Sequence, residues 1–208
     1  MRPPLSERVS MRQLRSLSPK SLFVVAAAAC AAFAAFTVSA GTAAAATCPP
    51  PPSSVQPFVP WSDANDYVLT TGGAFEPGAQ AWSLHGGADV VADNAPNALD
   101  PTTDGHALYL PAGASATSPC TTAPKIVGLV RFFAKVASTG GQLKVEVLVK
   151  GTTYLAGTIT AGSGWAPAPM LSSNAPAYKG AVAYQVRLTA SGAAFTVDDV
   201  YFDPYSSK

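Results

Sequence analysis

Gln142-Leu143-Lys144-Val145-Glu146-Val147-Leu148-Val149-Lys150 alternates strictly, with Leu143, Val145, Val147 and Val149 in one phase and Lys144, Glu146, Leu148 and Lys150 in the other. An extended backbone sends successive side chains to opposite faces, so this stretch predicts a strand with one buried face and one mostly wet face. That is the pattern of an antiparallel sheet packed on one side. Ala181 to Thr189 repeats it, with Val182, Tyr184, Val186 and Leu188 against Gln185, Arg187 and Thr189.

Further strands are expected at Trp82 to His85, Ala88 to Ala92, Ala107 to Leu110, Ile126 to Val136, Thr152 to Ile159 and Phe195 to Asp203. Turn formers separate them: Gly72-Gly73, Gly86-Gly87, Asp93-Asn94, Asp104-Gly105, Gly140-Gly141 and Gly162 to Gly164. From Trp61 onward no window of eleven or more residues places apolar positions at helical spacing. About eight short strands at this spacing predict an all-β chain, an antiparallel two-sheet β-sandwich with Val145, Val147, Val182, Val186 and Phe195 pointing inward.

The amino terminus predicts export. Arg2, Arg8, Arg12, Arg15 and Lys20 precede an uncharged, alanine-rich run from Ser21 to Ala40, the order of a signal peptide. Small residues at Val38-Ser39-Ala40 and Ala44-Ala45-Ala46 place cleavage after Ala40 or Ala46. Residues 1–46 are therefore expected to leave, followed by a Pro-rich lead-in over 47–60 and one sandwich domain over 61–208, with no membrane span in the mature chain. A retained signal anchor is the alternative, since twenty apolar residues can just cross a bilayer. A lipoprotein at Cys48 is disfavoured, because Ala45-Ala46-Thr47 lacks the usual leucine three positions upstream.

The leader holds five of the 13 basic residues and one of the 12 acidic ones, leaving eight against eleven, or −3. A mildly acidic domain has no electrostatic attraction for nucleic acid. Cys30 leaves with the leader, so Cys48 and Cys120 remain and predict a disulfide in an oxidising compartment. Closing so long a loop is worth about 4 kcal/mol on the chain-entropy account. The lead-in has four consecutive prolines, Pro49 to Pro52, and cannot be helical.

Gly72-Gly73-Ala74-Phe75-Glu76-Pro77-Gly78 followed by Trp82 resembles the opening strand of galactose-binding-like jelly rolls, including family four and nine carbohydrate-binding modules. Phe195-Thr196-Val197-Asp198-Asp199-Val200-Tyr201 resembles their closing strand, and Gly105 to Leu110 matches an intermediate strand loosely, with Ala107 where serine is usual. The layout also resembles short secreted actinobacterial proteins. The resemblance implies a jelly roll from about Tyr67 to Asp203. It further implies a structural calcium held by Glu76 and Asp198, hard oxygen donors of the kind calcium takes.

Catalysis is not expected, and no cofactor beyond that calcium. Only His85 and His106 remain after the leader, and the nearest approach to a nucleophile elbow, Gly113-Ala114-Ser115-Ala116-Thr117, lacks its second glycine. Asp198 and Asp199 are adjacent, so strand alternation would send them to opposite faces and forbid their acting together. Sugar binding needs exposed aromatic faces and a few directed polar groups. The candidates are Trp61, Tyr154 and Tyr178, with Glu146 and Arg187 as a polar bed if their strands share a sheet. A secreted non-enzymatic module binding carbohydrate is the expectation. A structural or adhesive exoprotein that binds protein partners is the alternative.

Overall fold

A computed structural model describes residues 48–78, 82–96, 104–123, 128–178 and 180–205. The expected leader lies outside the described residues. Among the described residues a 3-10 turn at Val59–Trp61 is followed by thirteen strands: β1 (Val68–Leu69), β2 (Ser83–His85), β3 (Asp89–Ala92), β4 (His106–Leu110), β5 (Ser115–Thr117), β6 (Thr121–Ala123), β7 (Leu129–Val136), β8 (Gln142–Val149), β9 (Thr152–Ile159), β10 (Ala166–Pro167), β11 (Leu171–Ser172), β12 (Val182–Ser191) and β13 (Phe195–Asp203). One sheet runs β10-β7-β13-β4-β3, with β1 also on β13 and β11 on β7; the other runs β2-β5-β12-β8-β9, with β6 on β12. Every pairing among them is antiparallel. The chain is thus a two-sheet antiparallel sandwich, as its alternation predicted.

The five residues expected to point inward are buried, none more than 2% exposed. They belong to the main core, in which β8 and β12 face Val130 and Phe132 of β7 and Val197, Val200 and Phe202 of β13. Tyr184 meets Phe202 at 4.3 Å between ring centroids. Each such side chain contributes about 1.5–3 kcal/mol through its removal from water. Five strands went unpredicted: β1, β5, β6, β10 and β11, each two or three residues long. That is too short for a period of two to show.

Two expectations are corrected. The Gly72 to Gly78 segment is not a strand but a succession of turns. Gly72 and Gly78 take positive φ, as does Phe75 at 56°, and a Cβ on Gly73 would lie 2.7 Å from the Val200 carbonyl oxygen. Phe75 instead packs on Trp82, whose indole donates to the Gly72 carbonyl at 3.0 Å. Nor do Asp198 and Asp199 diverge. Against β7, Asp198 sits opposite Phe133 and Tyr201 opposite Arg131, so β13 carries one extra residue there. Asp199 absorbs it in the left-handed region, φ 50°. A bulge of this kind re-aims side chains and shifts the alternation. Beyond it Val200 and Phe202 face the main core, and Tyr201 joins the outer face.

All nine residues of β13 are buried, because the outer face of its sheet is covered too. Phe58, Tyr67 and Ala95 pack there on Phe133 and Tyr201, with Trp61 and Trp165 beside them. Phe58 meets Tyr67 at 5.0 Å, Phe133 at 5.3 Å and Tyr201 at 5.6 Å. The Cys48–Cys120 disulfide is present, and Thr122 donates its amide to the Pro49 carbonyl at 2.9 Å. The lead-in is thus fastened to the second sheet before it crosses onto the outer face of the first. Among the described residues no helix is long and apolar enough to cross a membrane.

Candidate functional site

The bulge gathers three carboxylates. Asp198 and Asp199 from β13 meet Asp104, just ahead of β4, with one oxygen from each lying within 4.8 Å of the others. Asp198 is spoken for in part: its Oδ2 accepts from the Ala95 amide at 2.9 Å and its Oδ1 from the Asp199 amide at 2.8 Å. By contrast Asp199 Oδ2 and Asp104 Oδ1 are buried with no hydrogen-bond partner, as are Asn94 Oδ1 and the Tyr201 hydroxyl. Asp199 is 2% exposed, and an unpaired buried carboxylate is costly.

Burial is accordingly the first cause of a raised pKa at each: about 8 at Asp198, with the charges of Asp199 and Asp104 adding to it; about 7 at Asp104, helped by Asp199 and Glu76; about 6 at Asp199, helped by Glu76. Such a group of oxygens, two of them orphaned, fits a divalent cation, and hard carboxylate oxygens select calcium or magnesium over softer metals.

Of the two residues expected to ligate calcium, Asp198 is in this group. Glu76 lies next to it and holds the turn that presents Asp104. Its Oε1 accepts from the amides of Gly105 at 2.6 Å and His106 at 2.9 Å, and its Oε2 lies 3.1 Å from His106 Nδ1. Asp199 and Asp104 were not foreseen. The extra residue that turns Asp199 to the same side as Asp198 leaves no mark in the sequence, and Asp104-Gly105 reads as an ordinary turn.

A groove of about 400 Å³ opens on the uncovered part of the same outer face, lined by Val91, Asp93, Tyr109, Lys135, Ser163 and Thr196 among others. Tyr109 is 37% exposed at its wall. Lys135 Nζ pairs with Asp93 Oδ2 at 2.6 Å and stands 4.7 Å above the Trp165 ring, and the Trp165 indole also reaches Asp93. Burial acts to raise the Asp93 pKa, but hydrogen bonds from Lys135, the Asn94 amide and Trp165 outweigh it and hold the carboxylate ionised. The site therefore combines an aromatic face, a neutralised ion pair and two hydroxyls. Tyr109 could have been found: it is out of phase with Leu108 and Leu110, which are fully buried.

The nominated ligand residues fall elsewhere. Trp61 packs edge-on against Phe133 at 5.4 Å and helps cover the sheet. Tyr154 and Tyr178 lie half-buried against the main core. A hydrogen bond between them raises the Tyr178 pKa, and the Lys150 ammonium sits 4.6 Å over the Tyr178 ring. Glu146 and Arg187 do share a sheet and lie directly opposite each other. Arg187 Nε donates to Glu146 Oε2 at 2.8 Å, and Lys144 Nζ lies 3.1 Å from Oε1. Burial would raise the Glu146 pKa, but these two partners bring it below the usual range. The structure thus joins Tyr154 to Tyr178 and Glu146 to Arg187, and sets Trp61 on the other sheet.

No protein-family model and no curated protein matches the chain. Solved structures do. A carbohydrate-binding module from a Cellvibrio mixtus lichenase, in complex with cellotriose, is 14% identical with a TM-score of 0.42, over 67% of this chain and 96% of that one. A family 61 module solved with β-1,4-galactotriose is 17% identical, TM-score 0.36, over 62% and 90%. A family 36 module solved with calcium and xylotriose is 14% identical, TM-score 0.37, over 58% and 92%. All three of those proteins are carbohydrate-binding modules.

Proposed function

We propose that residues 1–46 direct secretion and that the remaining chain, a lead-in over 47–60 and one domain over 61–208, is a non-catalytic module binding a short neutral oligosaccharide in the groove beside Tyr109. The observation that carries this reading is the juxtaposition of the exposed Tyr109 ring with the Asp93–Lys135 pair. A pyranose lays its apolar face on an aromatic ring while its hydroxyls take directed polar partners. Because Asp93 and Lys135 neutralise each other, the groove offers no excess charge to an acidic sugar.

In this reading Asp104, Asp198 and Asp199 hold a structural calcium, whose support is the pair of orphaned carboxylate oxygens. Glycan-array screening of the secreted protein, followed by calorimetry with cellotriose, xylotriose and β-1,4-galactotriose, tests the proposal. Binding that Tyr109→Ala abolishes supports it. A blank array, or binding indifferent to Tyr109, overturns it in favour of the adhesive, protein-binding alternative.

A further inference from the structure

We infer that the cation site controls the groove, through the segment Asp93-Asn94-Ala95 that joins them; the inference rests on the cation reading above and deepens that of the groove. The connection is short and continuous. Ala95, fully buried, gives its amide to Asp198 Oδ2 at 2.9 Å. Asn94 gives its side-chain Nδ2 to the Asp104 carbonyl at 2.6 Å and its own amide to Asp93 Oδ1 at 3.0 Å. Asp93 Oδ2 then pairs with Lys135, which stands over Trp165. Two of the three cluster residues are thus bonded to the two residues that follow Asp93, and the groove's ion pair begins where they end.

The two states differ by a definite force. A divalent cation attracts each of the three carboxylates gathered within 4.8 Å, and at low local dielectric that attraction is strong. With the cation bound, Asp104 and Asp198 are drawn together, and Asn94 and Ala95, bonded to them, are held in place. Without it nothing draws the carboxylates to one centre, so the segment bonded to them is held less firmly and Asp93 leaves its place between Lys135 and Trp165. Cation and groove ligand then help each other to bind by one common factor, about five- to 150-fold in coupled sites of this kind.

Calcium alone is enough to test this. Trp165 is one of three tryptophans in the chain and the one that touches the groove pair. Calcium is titrated into the chelator-stripped secreted protein while heat and tryptophan fluorescence are both recorded, with Trp165→Phe identifying that ring's share. A Trp165 spectral change with the same midpoint as the heat is expected. Asp93→Asn should keep calcium affinity within about threefold and lose the spectral change. Calcium heat with no change at Trp165, or a change that persists in Asp93→Asn, overturns the coupling. Absence of calcium heat overturns the cation site and the coupling with it, whereas oligosaccharide calorimetry still decides the groove.

Discussion

Asp63 and Asp198 lie on the same outer face of one sheet, 6% and 0% exposed, and burial has led them opposite ways. Asp63 sits beneath the lead-in, where Arg131 Nη1 pairs with its Oδ2 and Tyr67 donates to the same oxygen at 2.6 Å. Arg131 is anchored in turn, donating its Nε to the Ala168 carbonyl at 2.9 Å and lying 4.3 Å over the Phe58 ring. Burial acts to raise the Asp63 pKa, but the bonds from Tyr67, the Asn65 amide and Arg131 bring it below the ordinary value. Asp198 has two backbone amides and two neighbouring carboxylates instead, and its pKa rises to about 8. The difference is the partner and not the depth: one region carries its counter-charge in the chain, and the other leaves room for one from solution.

The largest effect should come from removing the counter-charge that the chain itself supplies to Asp63. Arg131→Met leaves Asp63 buried and unpaired, and urea unfolding should show a loss of about 3–5 kcal/mol. Adding Asp63→Asn should restore part of it.

The second prediction has the opposite sign at the other site. In chelator, Asp199→Asn should raise the melting temperature by several degrees at neutral pH, since Asp199 is 2% exposed with its Oδ2 unpartnered, and asparagine removes that buried charge while keeping the shape and the left-handed backbone. With calcium the order should invert. The parent protein should gain about 2.7 kcal/mol at a free concentration 100 times its dissociation constant, and the variant nothing. A variant that loses stability in chelator would place Asp199 in the first category, with Asp63.

Titration separates the sites further. Asp198, Asp104 and Asp199 have folded pKa values of about 8, 7 and 6 against an ordinary 3.8, so the folded state binds more protons between pH 4 and 8. Stability of the chelated protein should therefore fall as pH rises through that window. Asp63, lowered in the folded state, stabilises above its ordinary pKa, and that contribution is lost as pH falls below about 4. Thermal melts across pH, with and without calcium, check both signs: calcium should flatten the upper slope and leave the acid one.

The smallest effect on stability belongs to the groove. Tyr109→Ala should change unfolding by no more than about 0.5 kcal/mol, as a half-exposed position does, while removing oligosaccharide binding in calorimetry.

The sandwich was legible because β8 and β12 alternate over eight or more residues, long enough for Val145, Val147, Val182 and Val186 to fix which face is inside. The site was much less so. One inserted residue at Asp199 reverses the alternation that separates Asp198 from its neighbour on paper. The cover on the sheet's outer face was invisible for another reason: Phe58, Trp61 and Tyr67 follow no period, and what they cover, Phe133 and Tyr201, lies far along the chain. Tyr109 was legible by phase alone, and Cys48 with Cys120 by count.

The position of the disulfide also decides how the molecule would carry a load. Tension on the chain ahead of Cys48 passes through the sulfur bridge to Cys120 and on to β6, which is hydrogen-bonded along β12. Residues 49–67 lie inside the closed covalent loop and bear none of it. A protein tethered by its leading end would thus be pulled at the edge of the second sheet, with the lead-in still seated on Phe133 and Tyr201, whereas an unbridged segment would peel away one contact at a time.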